Sequence, residues 1–194
     1  MIIVDDNSPD GTGEVAEKLS RSYPVHVIHR AGKLGLGSAV MEGFLYSNRD
    51  YFGVMDADLS HDPAIIPELT MLLNKFDIVI GSRFAPSSFV EDWALNRKLL
   101  SKTGIFLAKF LTHVKDPLSG YFFLHRRVIS GLKLTSSGYK ILFEILVKGH
   151  YKNVKEVSFK FRGRQHNMSK LNMNEYLLFL KQIIYFFFRR MIGK

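Results

Sequence analysis

Two aspartates separated by one residue, Asp56 and Asp58, directly follow an apolar run at residues 51–55. The run predicts a buried strand, and ligands of open α/β sheets bind beyond the carboxyl ends of strands. Two carboxylates at that place can hold a divalent metal such as Mg²⁺ or Mn²⁺, which commonly bridges phosphate oxygens. A D-x-D pattern alone also suits a solvated turn. His61 is expected to support this loop by hydrogen bonding.

Two further strand ends carry charged side chains. Asp5 and Asp6 follow the apolar run at residues 1–4, and Arg83 follows the run at residues 78–80. Carboxylates there can accept hydrogen bonds from a base or a ribose hydroxyl, and an arginine can bind phosphate. Each acid could instead belong to a helix-capping loop, and each cation to the solvated surface. Other cations that could bind phosphate are Arg97, Lys98, Arg162, Arg164 and Lys170.

Short apolar runs alternate with helical segments in the first part of the chain. The pattern predicts an α/β fold, with a mostly parallel sheet flanked by helices in a single domain. Thr12 is the predicted cap of the first helix, and the aromatic residues Phe106 and Phe110 are predicted to lie in the core. Strands are predicted at residues 1–4, 25–29, 51–55, 78–80, 120–125 and 154–161. Helices are predicted at residues 13–22, 35–47, 63–74, 93–112, 138–148 and 174–192, with a loop at residues 85–91.

The composition narrows the classes of function. With 194 residues, 46% of them hydrophobic, the chain can bury a sizeable core in one domain. The absence of cysteine excludes disulfides, zinc–thiolate sites and cysteine nucleophiles, and fits a reducing compartment. A formal charge of +9 indicates an anionic partner such as nucleic acid, anionic lipid or a phosphorylated substrate. Because no RNP, KH or helix-turn-helix signature is present and acids end the strands, we expect no nucleic-acid partner.

The C-terminal segment, residues 172–194, predicts an amphipathic helix that is rich in apolar and basic residues. Its apolar stretch, residues 177–188, is shorter than the about 20 residues of a membrane span. The helix could lie on a membrane surface or pack on the core. Acidic residues close to Met1 give no indication of a signal peptide. The side chains predicted to face lipid are Tyr176, Phe179, Ile183, Phe186 and Phe187, with Lys181, Arg189, Arg190 and Lys194 meeting headgroups.

Five segments occur in an order and at spacings that resemble one family. They are IVDDNSPDGT (3–12), MDADLSHDP (55–63), GSRF (81–84), NRKLLSK (96–102) and DPLSGYFFLHRRVI (116–129). Together they resemble the polyprenyl-phosphate (dolichyl-phosphate) mannosyltransferases, which are family 2 glycosyltransferases with the GT-A fold. Many glycosyltransferases have D-x-D, whereas DPLSG with NRKLLSK is more specific to the lipid-phosphate enzymes. The resemblance implies a GT-A (Rossmann-like) domain over residues 1–171.

The resemblance implies roles for the acids at two strand ends. Asp5 and Asp6 would contact the base or ribose of a nucleotide sugar. Asp56 and Asp58 would hold Mg²⁺ or Mn²⁺ together with the diphosphate of the donor. Ser60 would lie near the metal, where relatives often have glutamine.

The resemblance also implies which cations bind phosphate. Arg83, Arg164 and Lys170 would bind the donor, although Asn and Met replace the Gly-Glu of the family stretch between Arg164 and Lys170. Arg97 and Ser101 would bind the acceptor phosphate. The predicted catalytic residues are Asp58, Arg97 and Lys170.

The chain departs from the family at its beginning. Family members have another strand and helix before the IVDD strand, and this additional strand lies inside the sheet beside the strand that carries D-x-D. We therefore expect unpaired strand edges and an incomplete base pocket. Either the start lies upstream of Met1, or the chain is N-terminally short and could be inactive.

The resemblance implies a metal-dependent, inverting transfer of mannose from GDP-mannose to a polyprenyl (dolichyl) phosphate. The acceptor phosphate is ionised near neutral pH, so its oxygen can attack without a general base. The protein would act as a peripheral protein at the cytoplasmic face of a membrane. The alternatives are a UDP-glucose-dependent polyprenyl-phosphate glucosyltransferase and a truncated, non-catalytic relative that binds lipid or a partner.

Overall fold

Short strands and helices alternate along the protein, and the computed structural model describes them over residues 1–90, 103–135, 140–162 and 173–191. The strands in these ranges are β1 (Ile2–Asp5), β2 (His26–His29), β3 (Tyr51–Val54), β4 (Ile78–Ser82), β5 (Phe89–Val90), β6 (Phe122–His125), β7 (Val154–Ser158) and β8 (Lys160–Phe161). The α-helices are α1 (Thr12–Ser20), α2 (Leu36–Tyr46), α3 (Ile66–Leu72), α4 (described over 103–108), α5 (Arg126–Ile129), α6 (Ile141–Lys148) and α7 (Met173–Met191). A 3₁₀ turn, Pro63–Ile65, precedes α3.

The strands form three sheets. The largest has the order β3-β6-β4-β7, while β1 pairs with β2 and β5 pairs with β8. Three of the five pairings are parallel, and the two antiparallel ones both involve β6. Since β6 runs opposite to both of its neighbours, β3 and β4 run in the same direction. Their carboxyl ends therefore lie at the same edge of the sheet, and the α/β architecture predicted from the sequence is confirmed.

The edges of β1 and β3 are not paired with each other. Within the described residues, β1 pairs only with β2, and β3 pairs only with β6. Helix α2 packs against β1 and α6, and its Phe44 ring lies 4.7 Å from the ring of Phe52 on β3. Side-chain packing through α2, rather than a hydrogen-bond ladder, therefore connects the β1–β2 sheet to the large sheet. Over the described ranges, the edges expected to be unpaired have no strand partner.

Both faces of the large sheet are covered. Ile78 and Ile80 of β4 point into a core with α2 and α6, whereas Val79 points into a core with α3. All five residues of β4 are buried, which is typical of a strand between two layers of helices. A third cluster lies between α4, α6 and α7.

Some local predictions were wrong. Thr12 does not cap α1: the helix begins at Thr12, after Gly11 with φ of 80°. The Asp10 carboxylate accepts the Thr12 N–H at 3.1 Å and its hydroxyl at 2.6 Å, so Asp10 has the role predicted for Thr12. Residues 89–90, predicted as loop, pair with β8. The strand predicted at residues 154–161 divides at Phe159 into β7 and β8. Of the helix predicted at residues 93–112, the part before residue 103 lies outside the described residues.

Phe106 and Phe110 are not in the core, contrary to the prediction. They are 62% and 59% exposed, and their rings contact each other at 5.7 Å. The inner side of this segment is formed instead by Ile105, Ala108 and Leu111, which pack against α7. An aromatic pair four residues apart therefore faces outward.

Helix α7 packs on the core through the face that was predicted to meet lipid. Phe179, Ile183 and Phe186 are buried, and Phe143 of α6 contacts two of these rings. Phe187 is partly exposed, and the side chain of Tyr176 lies outside the described residues. The other face of the helix also carries exposed apolar side chains, which are Leu177, Leu178, Ile184, Tyr185 and Phe188. No helix in the described part of the chain combines the length and apolarity of a membrane span.

Candidate active site

The D-x-D loop follows β3 at the edge of the sheet. The Ser60 N–H donates to Asp58 Oδ1 at 3.1 Å, and the Ser60 hydroxyl donates to the same oxygen. Between them Leu59 has a left-handed backbone, with φ of 63°. Ser60 is buried, while Asp56 and Asp58 are half-buried. The loop thus orients two carboxylates that remain accessible to solvent.

His61 joins this loop to the aromatic core beneath it. Its Nδ1 accepts the Asp56 N–H at 3.1 Å, which confirms the expected support of the loop. The imidazole is stacked on the ring of Tyr121, with centroids 4.9 Å apart and planes at 12°. The rings of Phe159 and Phe161 contact it edge-on at 5.7 and 5.9 Å.

The segment that precedes β6 approaches Asp56 through a glycine. A Cβ on Gly120 would lie 3.3 and 3.4 Å from the carboxylate oxygens of Asp56. One strand away, a Cβ on Gly81 would lie 2.7 Å from the ring of Tyr121. Glycine at position 120 lets the DPLSGY segment lie against the D-x-D loop, and glycine at position 81 leaves room for the Tyr121 ring beside β4. Roles for these two glycines were not predicted, although the GSRF and DPLSG motifs that contain them were the available signals.

Tyr121 has no exposed surface, and its hydroxyl donates to the Asp62 carbonyl at 2.9 Å. Burial, with a smaller contribution from the negative charge of Asp62, raises the pKa of Tyr121 to about 12. The phenol is therefore neutral at physiological pH and acts as a hydrogen-bond donor to the D-x-D side of the molecule.

Arg83 is held at the same edge by a buried carboxylate. Its Nε and Nη2 donate to Asp116 at 2.8 and 2.7 Å, and its backbone N–H donates at 3.0 Å. Asp116 is fully buried, and its own N–H donates to Glu156 at 3.0 Å. The Arg83 guanidinium carbon lies 5.9 Å from the Phe161 ring, which also contacts His61. Arg83 is therefore fixed near the D-x-D loop, as a bidentate pair.

Asp6 holds a glycine-rich loop to the end of β1. Its carboxylate accepts Arg30 Nη1 at 2.6 Å and the Gly35 N–H at 3.3 Å, and its side chain is 24% exposed. Arg30 is buried and also donates to Ser38. Its Nε lies 3.1 Å from the Glu42 carboxylate, close enough for an ion pair but without a hydrogen bond. The accessible part of Asp6 is thus small.

Asp5 points into the other side of β1. It is buried, accepts the Ser8 N–H at 3.3 Å and lies 3.8 Å from His29 Nδ1. His29 Nε2 lies 2.9 Å from Glu17. A cleft of about 390 Å³ opens here, lined by Asp5, Asn7, Ser8, Gly13, Glu14, Glu17, Lys18, Arg21 and His29.

Five residues predicted to bind phosphate lie outside the described residues, namely Arg97, Lys98, Ser101, Arg164 and Lys170. The described range 140–162 ends two residues before Arg164. At its last residue, the Arg162 N–H donates to the Ser60 carbonyl at 3.1 Å. This bond places the beginning of that segment against the D-x-D loop.

Asp56 and Asp58, with the Ser60 hydroxyl, are oxygen donors of the kind that Mg²⁺ and Mn²⁺ prefer. Within the described ranges, three or more His, Cys, Asp or Glu side chains do not come together in a way that could hold a metal ion. The donor set fits a cation that takes its remaining ligands from water and substrate oxygens.

The fold and the loop together define a class of protein. Residues 1–132 match the model described as Glycosyl transferase family 2, and the chain belongs to this family. Within it the chain is similar to proteins named dolichol-phosphate mannosyltransferase. It is 45% identical to the one from Pyrococcus furiosus over 94% of this chain, and 35% identical to the one from Saccharomyces cerevisiae, also over 94%. The chain spans 53% of the Pyrococcus relative, 72% of the yeast relative and 65% of a third from Mycosarcoma maydis.

Solved structures confirm the GT-A fold. The glucosyl-3-phosphoglycerate synthase from Mycobacterium tuberculosis, in complex with Mn²⁺, UDP-glucose and phosphoglyceric acid, has a TM-score of 0.66 at 20% identity, covering 95% of this chain and 67% of that one. The mannosyl-3-phosphoglycerate synthase from Rubrobacter xylanophilus has a TM-score of 0.63 at 17% identity, covering 98% of this chain and 63% of that one.

Proposed function

We propose that this chain transfers mannose from GDP-mannose to a polyprenyl (dolichyl) phosphate, with Mg²⁺ or Mn²⁺ held by Asp56, Asp58 and Ser60. The observation that carries the proposal is the D-x-D loop, whose two carboxylates are half-buried at the carboxyl edge of the sheet, with that of Asp56 beside Gly120. Relatives named dolichol-phosphate mannosyltransferase support the sugar and the acceptor. A fold neighbour that carries Mn²⁺ and UDP-glucose supports the metal.

The residues of the chain would orient two anions. An oxygen of the acceptor phosphate attacks the anomeric carbon while the bond from that carbon to the donor diphosphate breaks, so the configuration inverts. The bound cation would neutralise charge on the departing diphosphate. Arg83 is oriented for an anion by Asp116, and Asp6 contributes a carboxylate edge for base or ribose. Arg97 and Ser101 would bind the acceptor, and Arg164 and Lys170 the donor, each cation stabilising charge in the transition state.

The test is transfer of labelled sugar to a polyprenyl phosphate, with GDP-mannose or UDP-glucose as donor and with Mg²⁺, Mn²⁺ or a chelator. We expect transfer from GDP-mannose that the chelator abolishes. Asp58→Asn should lower the rate at least about 100-fold, a loss typical for a group that stabilises charge at the reacting centre.

The matched control is Asp50→Asn, because Asp50 is exposed at the opposite end of β3 from Asp56. It should transfer at the rate of the unaltered chain. Preferred use of UDP-glucose would favour the glucosyltransferase alternative, and lipid binding without any transfer would favour the non-catalytic one.

We propose further that the protein binds a membrane surface, at the cytoplasmic face, through the outward sides of α4 and α7. Phe106 is exposed on α4 and Phe110 in the turn that follows it, and Leu177, Ile184 and Phe188 are exposed on α7. Exposed basic residues lie among them, so apolar insertion and attraction to anionic headgroups would act together. These are Lys109, Lys181 and Arg189. Buried Phe179 and its neighbours keep α7 attached to the domain.

Vesicle flotation tests this surface. Removal of α7 would uncover the core, so point variants are the cleaner comparison. The pair Phe106→Ser and Phe110→Ser should weaken binding to anionic vesicles about tenfold or more, since each exposed ring offers apolar area to the bilayer. The control pair, Val15→Ser and Met71→Ser, removes exposed side chains from α1 and α3 and should bind normally. Equal flotation of both pairs would contradict the proposal. Protease accessibility of the bound protein in sealed cell-derived vesicles reports the membrane face.

A further inference from the structure

We propose that His61 is a positioning residue for Asp56: its imidazole fixes the backbone at Asp56 and thereby the direction of the carboxylate. The inference rests on the proposed function, because it assigns Asp56 to the binding of the cation and the donor. The proposed function gives His61 itself no role in binding substrate. Its effect would pass through one hydrogen bond.

The hydrogen bond has a fixed donor and acceptor. The Asp56 N–H donates to His61 Nδ1 at 3.1 Å, so Nδ1 must be unprotonated for the bond to form. Asp56 itself has no helix or strand around it, since β3 ends at Val54. The bond to a side chain therefore replaces the ladder that would otherwise hold this backbone.

The imidazole cannot easily change its direction. His61 is buried, and its ring is stacked on Tyr121 and enclosed edge-on by Phe159 and Phe161. The Tyr121 ring is in turn held by its hydroxyl, which donates to the Asp62 carbonyl at 2.9 Å. A rigid ring presents Nδ1 to the loop at a constant place.

The other side of Asp56 is also confined. A Cβ on Gly120 would lie 3.4 Å from the His61 ring as well as 3.3 Å from the Asp56 carboxylate. His61, Asp56 and Gly120 therefore form one packed unit. A shift of the Asp56 backbone would move its carboxylate relative to Asp58 and change the geometry of the two oxygen donors.

Two variants of the same shape separate the hydrogen bond from the packing. His61→Asn places an amide oxygen close to the position of Nδ1 and can accept the same N–H, whereas His61→Leu has the same branching without an acceptor. A third variant, His61→Phe, retains a ring for Tyr121 to stack on but also lacks the acceptor. Thermal unfolding identifies the variants that fold.

The first measurement is hydrogen exchange of the Asp56 amide in metal-free protein, observed by NMR. We expect faster exchange in His61→Leu and His61→Phe, and exchange close to that of the unaltered chain in His61→Asn. The second measurement is Mn²⁺ affinity in the presence of a nucleoside diphosphate, by calorimetry. Loss of groups that orient metal ligands lowers metal affinity about 10–100-fold. We expect this loss for His61→Leu and His61→Phe but not for His61→Asn.

The outcomes separate the two proposals. If His61→Asn and His61→Leu have equal Asp56 exchange rates and equal Mn²⁺ affinities, His61 acts only through packing and the inference is overturned, while the proposed function stands. If the unaltered chain binds Mn²⁺ no better than Asp58→Asn does, the metal in the proposed function is wrong. The exchange measurement then still decides whether His61 fixes the Asp56 backbone.

Discussion

At the scale of single residues, Leu59 has an unfavourable conformation beside two carboxylates. Its φ of 63° costs a residue with a side chain roughly 1–2 kcal/mol, and its side chain is 61% exposed, so little packing offsets that cost. Leu59→Gly should raise the free energy of unfolding by about 0.5–1 kcal/mol, because relief of strain exceeds the added freedom of the unfolded chain. Urea unfolding measures the difference.

The control is Leu59→Ala, which removes most of the side chain but keeps the strain. It should leave the free energy of unfolding almost unchanged. A stabilisation as large as that given by glycine would show that the exposed side chain, and not the backbone, is unfavourable.

Tyr121 makes stability depend on pH in the alkaline range. Its pKa is raised from 10.0 to about 12 in the folded protein, so the unfolded chain loses this proton first. The contribution is fully present below pH 10 and is lost as the pH rises from 10 to 12. Urea unfolding at pH 9, 10 and 11 should show a decrease that is smaller in Tyr121→Phe. Because burial also raises the pKa of Tyr151, only the difference between the two proteins belongs to Tyr121. Parallel curves would contradict the assignment.

At the scale of elements, Glu144 attaches α6 to the segment before it. This fully buried carboxylate accepts the Thr135 N–H and hydroxyl, both at 2.9 Å, and pairs with Lys148 one turn later. Glu144→Gln keeps an acceptor for Thr135 but loses the charge beside Lys148. We expect a loss of roughly 1–3 kcal/mol in the free energy of unfolding.

The comparison is Glu68→Gln on the exposed side of α3, where the change should stay within about 0.5 kcal/mol. Urea unfolding of both variants measures the difference. If the two variants lose equal stability, the buried carboxylate contributes nothing beyond a surface charge.

Strands and helices with a clear hydrophobic pattern were predictable. The direction in which a strand runs in the sheet, and the face of a helix that is buried, were not. The apolar run at β4 correctly predicted a buried strand. The run is apolar throughout because helices cover both faces of this strand. Nothing in the run at β6 shows that it is antiparallel to β3 and β4, since direction depends on the whole path of the chain. Helix α7 is apolar around much of its surface, so its composition could not show that Phe179 and Phe186 face inward.

The same limit applies to the site. The place of Asp56 and Asp58 just beyond the carboxyl end of β3 was predictable, because the apolar run before them predicts a strand. Gly120 and Asp116 were not assigned roles because these depend on contacts with residues far away in the chain. Asp5 and Asp6 are adjacent in sequence, yet alternation along a strand sends their side chains to opposite sides. Only the three-dimensional structure shows that Asp6 binds Arg30 while Asp5 lies near His29.

At the scale of the whole molecule, the unpaired edge strands and the inner strands of the sheets should differ in protection from solvent. Among the strands that the structure describes, β1 and β3 each have one edge without a strand partner, whereas β4 and β6 are paired on both sides. Hydrogen exchange should therefore be fast at the outward amides of β1 and β3 and slow through β4 and β6. Residue-resolved NMR exchange tests this expectation. Uniform protection across all four strands would mean that something else pairs with these edges in solution.

The division between the sheets also bears on how the protein loses its structure. A two-stranded sheet is only marginally stable by itself, and β1–β2 with α1 is joined to the remainder chiefly through α2. Cooperativity requires that loss of one part destabilise the other, and packing through one helix couples them weakly. The van't Hoff enthalpy should consequently be smaller than the calorimetric one, the sign of melting in more than one step. A ligand that contacts Asp6 and Asp56 together would raise the ratio of the van't Hoff to the calorimetric enthalpy, because it would make the two parts melt as one.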